Sequence, residues 1–262
     1  MKVTILGCGA AGGVPTINMG WGHCDPANPR NRRRRQSILV EEGGTTLLVD
    51  TSPDLREQLL DTGTRRLDAV LFTHGHADHV HGIDDLREVN RAMNGPIDCY
   101  GAADTLKTIQ QKFEYVFKDA GQGDAGHGAP RVLFRPWLVA KAIDGPFHVG
   151  AIPVEPFPQD HGFGQVTLGF RFGSVAYSTD VHSLAEDVLA RLAGLDLWMV
   201  SCLSDRPHDT HAHVDRVLEW ARRVRPRLTV LIHMGPRLDY AKLAASVPEG
   251  VVPAYDGMVI EV

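Results

Sequence analysis

The chain is poor in the features that bind a protein covalently or carry it across a membrane. Its four cysteines, Cys8, Cys24, Cys99 and Cys202, stand far apart and form no Cys-x-x-Cys pair. A disulfide framework is not expected in a chain of 262 residues with that spacing, and a reducing cytoplasm is the expected compartment. No apolar run approaches the ~20 residues that span a bilayer, so no membrane role is expected. The opening Met1-Lys2-Val3-Thr4-Ile5-Leu6-Gly7 lacks the apolar core and small-residue cleavage site of a signal peptide and runs straight into a strand-like segment. Positive charge is short too. Lys and Arg number 27 against 32 Asp and Glu, a net charge of −5, so no global field recruits nucleic acid, although a local basic patch stays open. A composition break that would mark a domain boundary is missing, as is a short-period repeat, and one domain over residues 1–262 is expected.

What is present is a globular composition, 43% hydrophobic and 23% charged, long enough to bury a substantial core. It also has thirteen histidines, unevenly spread. The densest stretch is Thr73-His74-Gly75-His76-Ala77-Asp78-His79, directly after the apolar run Ala69-Val70-Leu71-Phe72. Imidazole nitrogen and carboxylate oxygen are the ligands of zinc and related divalent ions. A His-x-His-x-Asp-His cluster at the end of a packed strand therefore predicts a metal site rather than a solvated loop.

In chain order, Val3–Leu6 reads as a buried strand leading into the glycine-rich Gly7-Cys8-Gly9-Ala10-Ala11-Gly12-Gly13-Val14-Pro15. A dinucleotide fingerprint is rejected, because no helical pattern follows and Pro15 interrupts. A tight loop beside the active site is expected instead. Residues 16–36 show little regular pattern; His23 and Cys24 lack partners at ligand spacing and read as ordinary loop. The run Arg30, Arg32, Arg33, Arg34 and Arg35 reads as surface, with Arg35 a candidate for a substrate phosphate. A hairpin is expected at Ser37–Val40 and Thr46–Val49, then a helix opened by Ser52-Pro53-Asp54. Further helices are expected over 81–94, 103–117, 184–192 and 214–224, and strands over 97–100, 151–157, 166–172, 175–178, 195–200 and 228–232, with a closing helix and strand. Residues 119–130, including the lone His127, read as a mobile loop. The pattern is α/β, two sheets with helices outside.

Four apolar strands end in a potential ligand: Leu71-Phe72 before His74, Pro156-Phe157 before His161, Ala176-Tyr177 before Asp180, and Leu231-Ile232 before His233. Strand ends are rigid mounts, and seven ligands from four such loops suffice for two metal ions sharing a carboxylate. This set resembles the metallo-β-lactamase superfamily of hydrolases. The resemblance implies an αβ/βα four-layer sandwich, with His74, His76 and His161 on one metal, Asp78, His79 and His233 on the second, and Asp180 bridging. More narrowly, Gly7–Pro15, Asp50-Thr51-Ser52-Pro53-Asp54, Thr73–His79 through Gly82-Ile83-Asp84-Asp85-Leu86-Arg87, Tyr177-Ser178-Thr179-Asp180 and Ala254-Tyr255-Asp256-Gly257-Met258 resemble the branch that contains the cyclic phosphodiesterase of the carbon–phosphorus lyase pathway. That branch carries a structural zinc in its N-terminal loop; here only His23 and Cys24 are offered, and no complete structural zinc site is expected.

The resemblance implies hydrolysis of a small phosphodiester by water activated between two divalent ions, zinc or manganese foremost. Asp78 belongs to the catalytic set, and the leaving alkoxide needs a proton. His208-x-x-His211-x-His213 is the expected source, with His211 the choice by resemblance and His208 and His213 substrate contacts. Asp50 and Asp256 are candidates to orient ligand imidazoles. Alternatives are a tRNA 3′-processing type of endoribonuclease, a glyoxalase-type thioester hydrolase, and a non-enzymatic accessory protein of coenzyme biosynthesis. Oxygen reduction at a di-iron centre is disfavoured, since that branch has Glu where His76 stands. A homodimer is compatible with the sequence, which fixes no oligomeric state.

Overall fold

The computed structural model describes residues 1–117 and 137–262. The expected mobile loop at 119–130, with His127, lies outside the described residues.

Two seven-stranded sheets carry the chain. The first is built from β1 (Lys2–Gly7), β2 (Ser37–Glu42), β3 (Thr45–Val49), β4 (Ala69–Leu71), β5 (Ile97–Gly101), β6 (Leu138–Ala142) and the last strand, β14 (Met258–Glu261). The second holds β7 (Phe147–Val149), β8 (Ile152–Asp160), β9 (Val166–Phe172), β10 (Val175–Ser178), β11 (Leu197–Ser201), β12 (Leu228–Ile232) and β13 (Val251–Pro253). Their orders are β14-β1-β2-β3-β4-β5-β6 and β13-β12-β11-β10-β9-β8-β7. In each sheet the chain begins with antiparallel pairs and continues with parallel ones, from β3 to β6 and from β10 to β13. Parallel strands point the same way, so their carboxyl ends collect at one edge of each sheet, where ligand-bearing loops gather.

Side-chain alternation decides which face meets which layer. Val3, Ile5, Ile38, Val40, Val49 and Leu71 point inward and form one cluster with Phe157, Phe170, Phe172 and Met199 of the second sheet. Their neighbours Leu6, Leu39, Leu48 and Val70 point outward under α1 (Leu55–Thr62), α3 (Leu86–Met93) and α4 (Ala103–Lys112). The other outer face is closed by α6 (Glu186–Arg191) and α7 (Val214–Val224), with Trp220 against Trp198 at 6.5 Å. Among the described residues the remaining helices are α2 (Ala77–Val80), α5 (Glu114–Phe117) and α8 (Tyr240–Ser246). The result is the helix–sheet–sheet–helix layering expected from the sequence. No helix of the described residues is long and apolar enough to cross a membrane.

The differences from expectation are local. The 81–94 helix enters through a 3₁₀ turn at Ile83–Asp85, and the 103–117 helix breaks at Phe113, whose φ of −129° is not helical. Strands β6, β7 and β13 lie at sheet edges, are short and carry mixed exposure, and β13 ends in Pro253, so no period-two pattern announced them.

The loop after β3 and the loop after the His cluster pack backbone to backbone at Gly82. Its N–H donates to the Thr51 carbonyl at 3.0 Å. A Cβ there would be driven into the Ser52 carbonyl and would lie 2.9 Å from Leu55 Cβ. Gly82→Ala is expected to cost about 3 kcal/mol of stability, the upper range for overpacking against backbone. A urea midpoint indistinguishable from that of the unsubstituted protein would show that the 50–55 loop yields freely.

Candidate metal centre

The sites of Asp50, Asp180 and His233 follow from strand ends that turn sharply. Each residue leaves its strand in the left-handed region, with φ of +62°, +48° and +54°. For a non-glycine residue that conformation costs about 1–3 kcal/mol, and such strain collects where a fold must aim a side chain.

These turns and the Thr73–His79 segment bring together all seven residues singled out from the sequence. His74, His76, His161 and Asp180 form one group, and Asp78, His79, His233 and Asp180 another; within each, one potential ligand atom per residue lies within 4.8 Å of the rest. Asp180 belongs to both. Its Oδ1 faces His79 Nε2 at 3.1 Å and His233 Nε2 at 3.3 Å, while Oδ2 lies 3.7 Å from both His74 Nε2 and His161 Nε2. All members except His76 are buried.

The surroundings fix which ring nitrogen each histidine presents. His161 Nδ1 donates to the Thr210 carbonyl at 2.9 Å. His79 Nδ1 donates to Asp50 Oδ2 at 2.7 Å. Thr73 gives its hydroxyl proton to Asp50 at 2.9 Å, so it accepts from His74 Nδ1 at 3.0 Å. In all three rings the Nε2 lone pair is therefore left facing the cluster. The buried Nε2 atoms of His74 and His79 have no hydrogen-bond partner within the protein. Buried polar atoms are rarely orphaned without a reason, and a metal ion supplies one here.

The electrostatics point the same way. Burial raises the Asp180 carboxyl, but His233, His79 and His211 outweigh it and hold it well below the usual carboxylate range. Asp78 is also buried, yet His79 and His233 keep it low. Burial lowers His79, but Asp180, Asp50 and Asp78 overcome that and push it well above an ordinary imidazole. Burial and neighbouring imidazoles push His74 down. At the acidic end three carboxylates thus favour positive charge at His79, a proton in metal-free protein that a divalent ion would displace, while the His74 end keeps neutral donors. Both states suit a divalent ion.

A cavity of about 400 Å³ opens over the two groups. Ala10, Ala11 and Gly12 line it, so the glycine-rich loop does border the site. His208 and His211 line it as well. His211 Nε2 sits 3.2 Å from Asp180 Oδ2, its Nδ1 meets Thr210 Oγ1 at 2.7 Å, and its ring stacks on His233 at 5.1 Å and 9°. Burial lowers the His211 imidazole although Asp180 opposes this.

Three residues picked from the sequence, and the arginine run, stand elsewhere than expected. His213 is the N-cap residue of α7, without a side-chain cap bond, and does not line the cavity. Arg35 is also absent from that lining; it is held by Asp54, its Nε at 3.1 Å and its backbone N–H at 2.8 Å. Asp256 orients no ligand imidazole. It accepts from the backbone N–H groups of Cys8 at 3.0 Å and Arg34 at 2.7 Å, bracing the glycine-rich loop from behind. The arginine run is likewise not a solvated surface throughout. Arg33 is 2% exposed and donates to Gly235 and Leu238 carbonyls at 3.2 and 2.7 Å, with Cys24 Sγ at 3.9 Å. Neither His23 nor Cys24 belongs to either ligand group. Sequence reasoning passed over Thr73 and Thr210, although each directly precedes a site histidine.

A family model described as "Beta-lactamase superfamily domain" matches residues 45–234. An octanoyltransferase of Porphyromonas gingivalis is 30% identical over 261 residues, 98% of this chain and 51% of that protein. The chain thus spans about half the length of that relative. Among solved structures, a diphosphatase from the PhnP family superposes with a TM-score of 0.89 at 30% identity, covering 100% of this chain and 97% of the other. Zn²⁺-bound PqqB from Methylobacterium extorquens gives 0.77 at 22% identity over the whole of both chains, a likeness of fold. The family match runs from β3 to the residue after His233 and so takes in every strand end that carries a ligand. On that match, with the layered fold and the paired His/Asp groups, the chain belongs to the metallo-β-lactamase superfamily of hydrolases.

Proposed function

We propose that the protein is a metal-dependent phosphodiesterase acting on a small cyclic or nucleotide-like phosphodiester, such as phosphoribosyl 1,2-cyclic phosphate, with two divalent ions, zinc or manganese. The observation that carries the reading is Asp180, one carboxylate turned toward two ligand groups at once. His74, His76, His161 and Asp180 would hold one ion, and Asp78, His79, His233 and Asp180 the other. A bound pair of such ions supplies Lewis acidity that acidifies water and offsets charge on phosphoryl oxygens.

The protein's own residues account for the rest. His211 reaches into the cavity beside Asp180 and is the candidate to deliver a proton to the leaving oxygen. Thr210 Oγ1 on Nδ1 and the stack on His233 hold its ring in that direction. His208, on the same wall, is a candidate substrate contact. Ala10, Ala11 and Gly12 leave room for a phosphate to approach the backbone closely. The neighbouring diphosphatase also cleaves a phosphorus–oxygen bond, which supports phosphoryl chemistry without choosing between a diester and a diphosphate. An RNA substrate has less support. The net charge is −5, Arg33 is buried against backbone carbonyls, and Arg34 and Arg35 are paired with carboxylates, Arg34 with Asp61 and Asp256 and Arg35 with Asp54.

Metal-loaded protein is expected to hydrolyse bis(p-nitrophenyl) phosphate and a cyclic ribose phosphate, and to lose both activities on chelation. Cleavage of a diphosphate ester alone, or of none of the three, would overturn the reading. His211→Ala is expected to lower turnover of the cyclic ribose ester by about 10²–10³-fold, the usual worth of a positioned acid. Its effect on the nitrophenyl ester should be far smaller, because nitrophenolate leaves without a proton. Equal losses on both substrates would remove His211 from that role.

A further inference from the structure

Beyond the metal groups, two loops that leave the cavity wall carry apolar surface that the fold does not bury. The turn joining β8 to β9 runs from His161 to Gln165, and both ends line the cavity. It is closed by His161 N–H to the Gln165 carbonyl at 2.8 Å and Gln165 N–H to the Gly162 carbonyl at 2.9 Å. At its apex stands Phe163, 82% exposed. Phe163 also adopts φ of +50° between Gly162 at +80° and Gly164 at +76°.

A phenylalanine in that place breaks two local rules together. Its backbone is one that glycine or asparagine adopts with less strain, and its ring gains nothing from burial. The turn itself is fixed rather than loose, because a Cβ on Gly162 would strike the Asp209 carbonyl and lie 3.1 Å from Thr210 Cα. Thr210 belongs to the cavity wall as well. A second loop repeats the exposure, though not the left-handed backbone. It leaves the cavity at Gly12, against which Thr16 packs, and displays Ile17 fully exposed and Met19 half exposed. Of the eight large apolar side chains exposed among the described residues, Ile17, Met19, Phe163 and Val166 stand on or beside these two loops. Violations left uncompensated by folding, gathered beside a site, are compensated by a ligand.

The geometry points to Phe163 as a stacking platform for an aromatic group, a nucleobase or an aryl ring, on the part of the phosphodiester that does not leave. This rests on the phosphodiesterase reading and adds to it a preference, among the diesters cleaved, for those bearing an aromatic substituent. The cavity walls suit such a substrate: among the described residues no Lys or Arg lines it, so beyond the metal groups and neutral hydrogen-bonding side chains a stacking contact adds affinity that no fixed cation supplies.

The test compares bis(p-nitrophenyl) phosphate with methyl p-nitrophenyl phosphate on metal-loaded protein. The two share a leaving group and differ in the retained one. Phe163→Ala and Phe163→Gly are both used; the glycine variant suits the backbone and guards against misfolding. The preference for the bis-aryl ester in kcat/KM is expected to fall about ten-fold, through KM, as for loss of one stacking contact. A preference unchanged in both variants would overturn the proposal. If the unsubstituted protein cleaves neither ester, the phosphodiesterase reading fails by itself. Calorimetric binding of adenosine 5′-monophosphate against ribose 5-phosphate then decides the platform: a preference for the nucleotide that Phe163→Gly abolishes supports it, and no preference refutes it.

Discussion

Asp180→Ala is expected to empty both metal positions and to lower phosphodiester hydrolysis by about 10³-fold or more. The reason is geometric. Oδ1 of Asp180 serves the Asp78–His79–His233 group, and Oδ2 serves the His74–His76–His161 group. Among the described residues no other belongs to both. Removing it leaves one group with three imidazoles and no anion, and the other with a single carboxylate. Each position loses a ligand and the charge that holds two cations close together. Asp180→Asn should be milder and lopsided, since an amide keeps one oxygen for one group and turns an N–H₂ donor toward the other. Metal content after dialysis, read beside activity, separates the outcomes: near zero for alanine and close to one ion for asparagine. An alanine variant that retains two ions and activity within ten-fold of the unsubstituted protein would break the shared-ligand assignment.

Asp50 never approaches the cavity, yet its replacement is expected to weaken both metal groups. It is completely buried and holds three donors: His79 Nδ1, the Thr73 N–H at 2.9 Å and the Thr73 hydroxyl. Through that hydroxyl it also sets the proton on His74, so one carboxylate governs a ligand in each metal group. Asp50→Asn keeps the size and tolerates the left-handed backbone. Its amide must set a donor against either His79 or Thr73, and metal affinity should fall about 10–100-fold, as for other lost supporting partners. Asp50→Ala additionally strands three buried donors and places a β-carbon residue at φ +62° without its hydrogen bonds, a stability loss of about 3 kcal/mol or more. Chelator competition gives the first quantity and urea unfolding of metal-free protein the second. Unchanged affinity in the asparagine variant would mean that packing alone orients His79 and His74.

The ligand set was legible in the sequence because its residues sit where an apolar run stops, and a strand end is recognisable from composition. Asp180 and His233 could be picked out in this way although they lie far from the cluster in sequence. Less was legible where charge alone was the signal. Arg33 looks like its neighbours Arg32 and Arg34, and nothing local says that its guanidinium will be buried against carbonyls some two hundred residues later. Asp256 and Arg35 failed for the same reason: whether a carboxylate or guanidinium faces a site or a backbone depends on long-range packing. Phe163 was invisible as well, since a glycine-flanked aromatic reads as an ordinary turn until its φ and exposure are known. The short edge strands β6, β7 and β13 lack the alternation that identifies a half-buried strand.

The placement of β14 bears on how this protein is made. Strands β1 to β6 all come from the first 142 residues, but β1 pairs on its outer side with Met258–Glu261, and the Met1 amine meets the Val262 carbonyl. During synthesis the first sheet therefore emerges with its β1 edge open and stays so while the entire second sheet is translated. An open strand edge is a template for mispairing with other nascent chains. β1 carries Lys2 as its exposed residue, a charge of the kind that discourages such pairing until the native neighbour arrives.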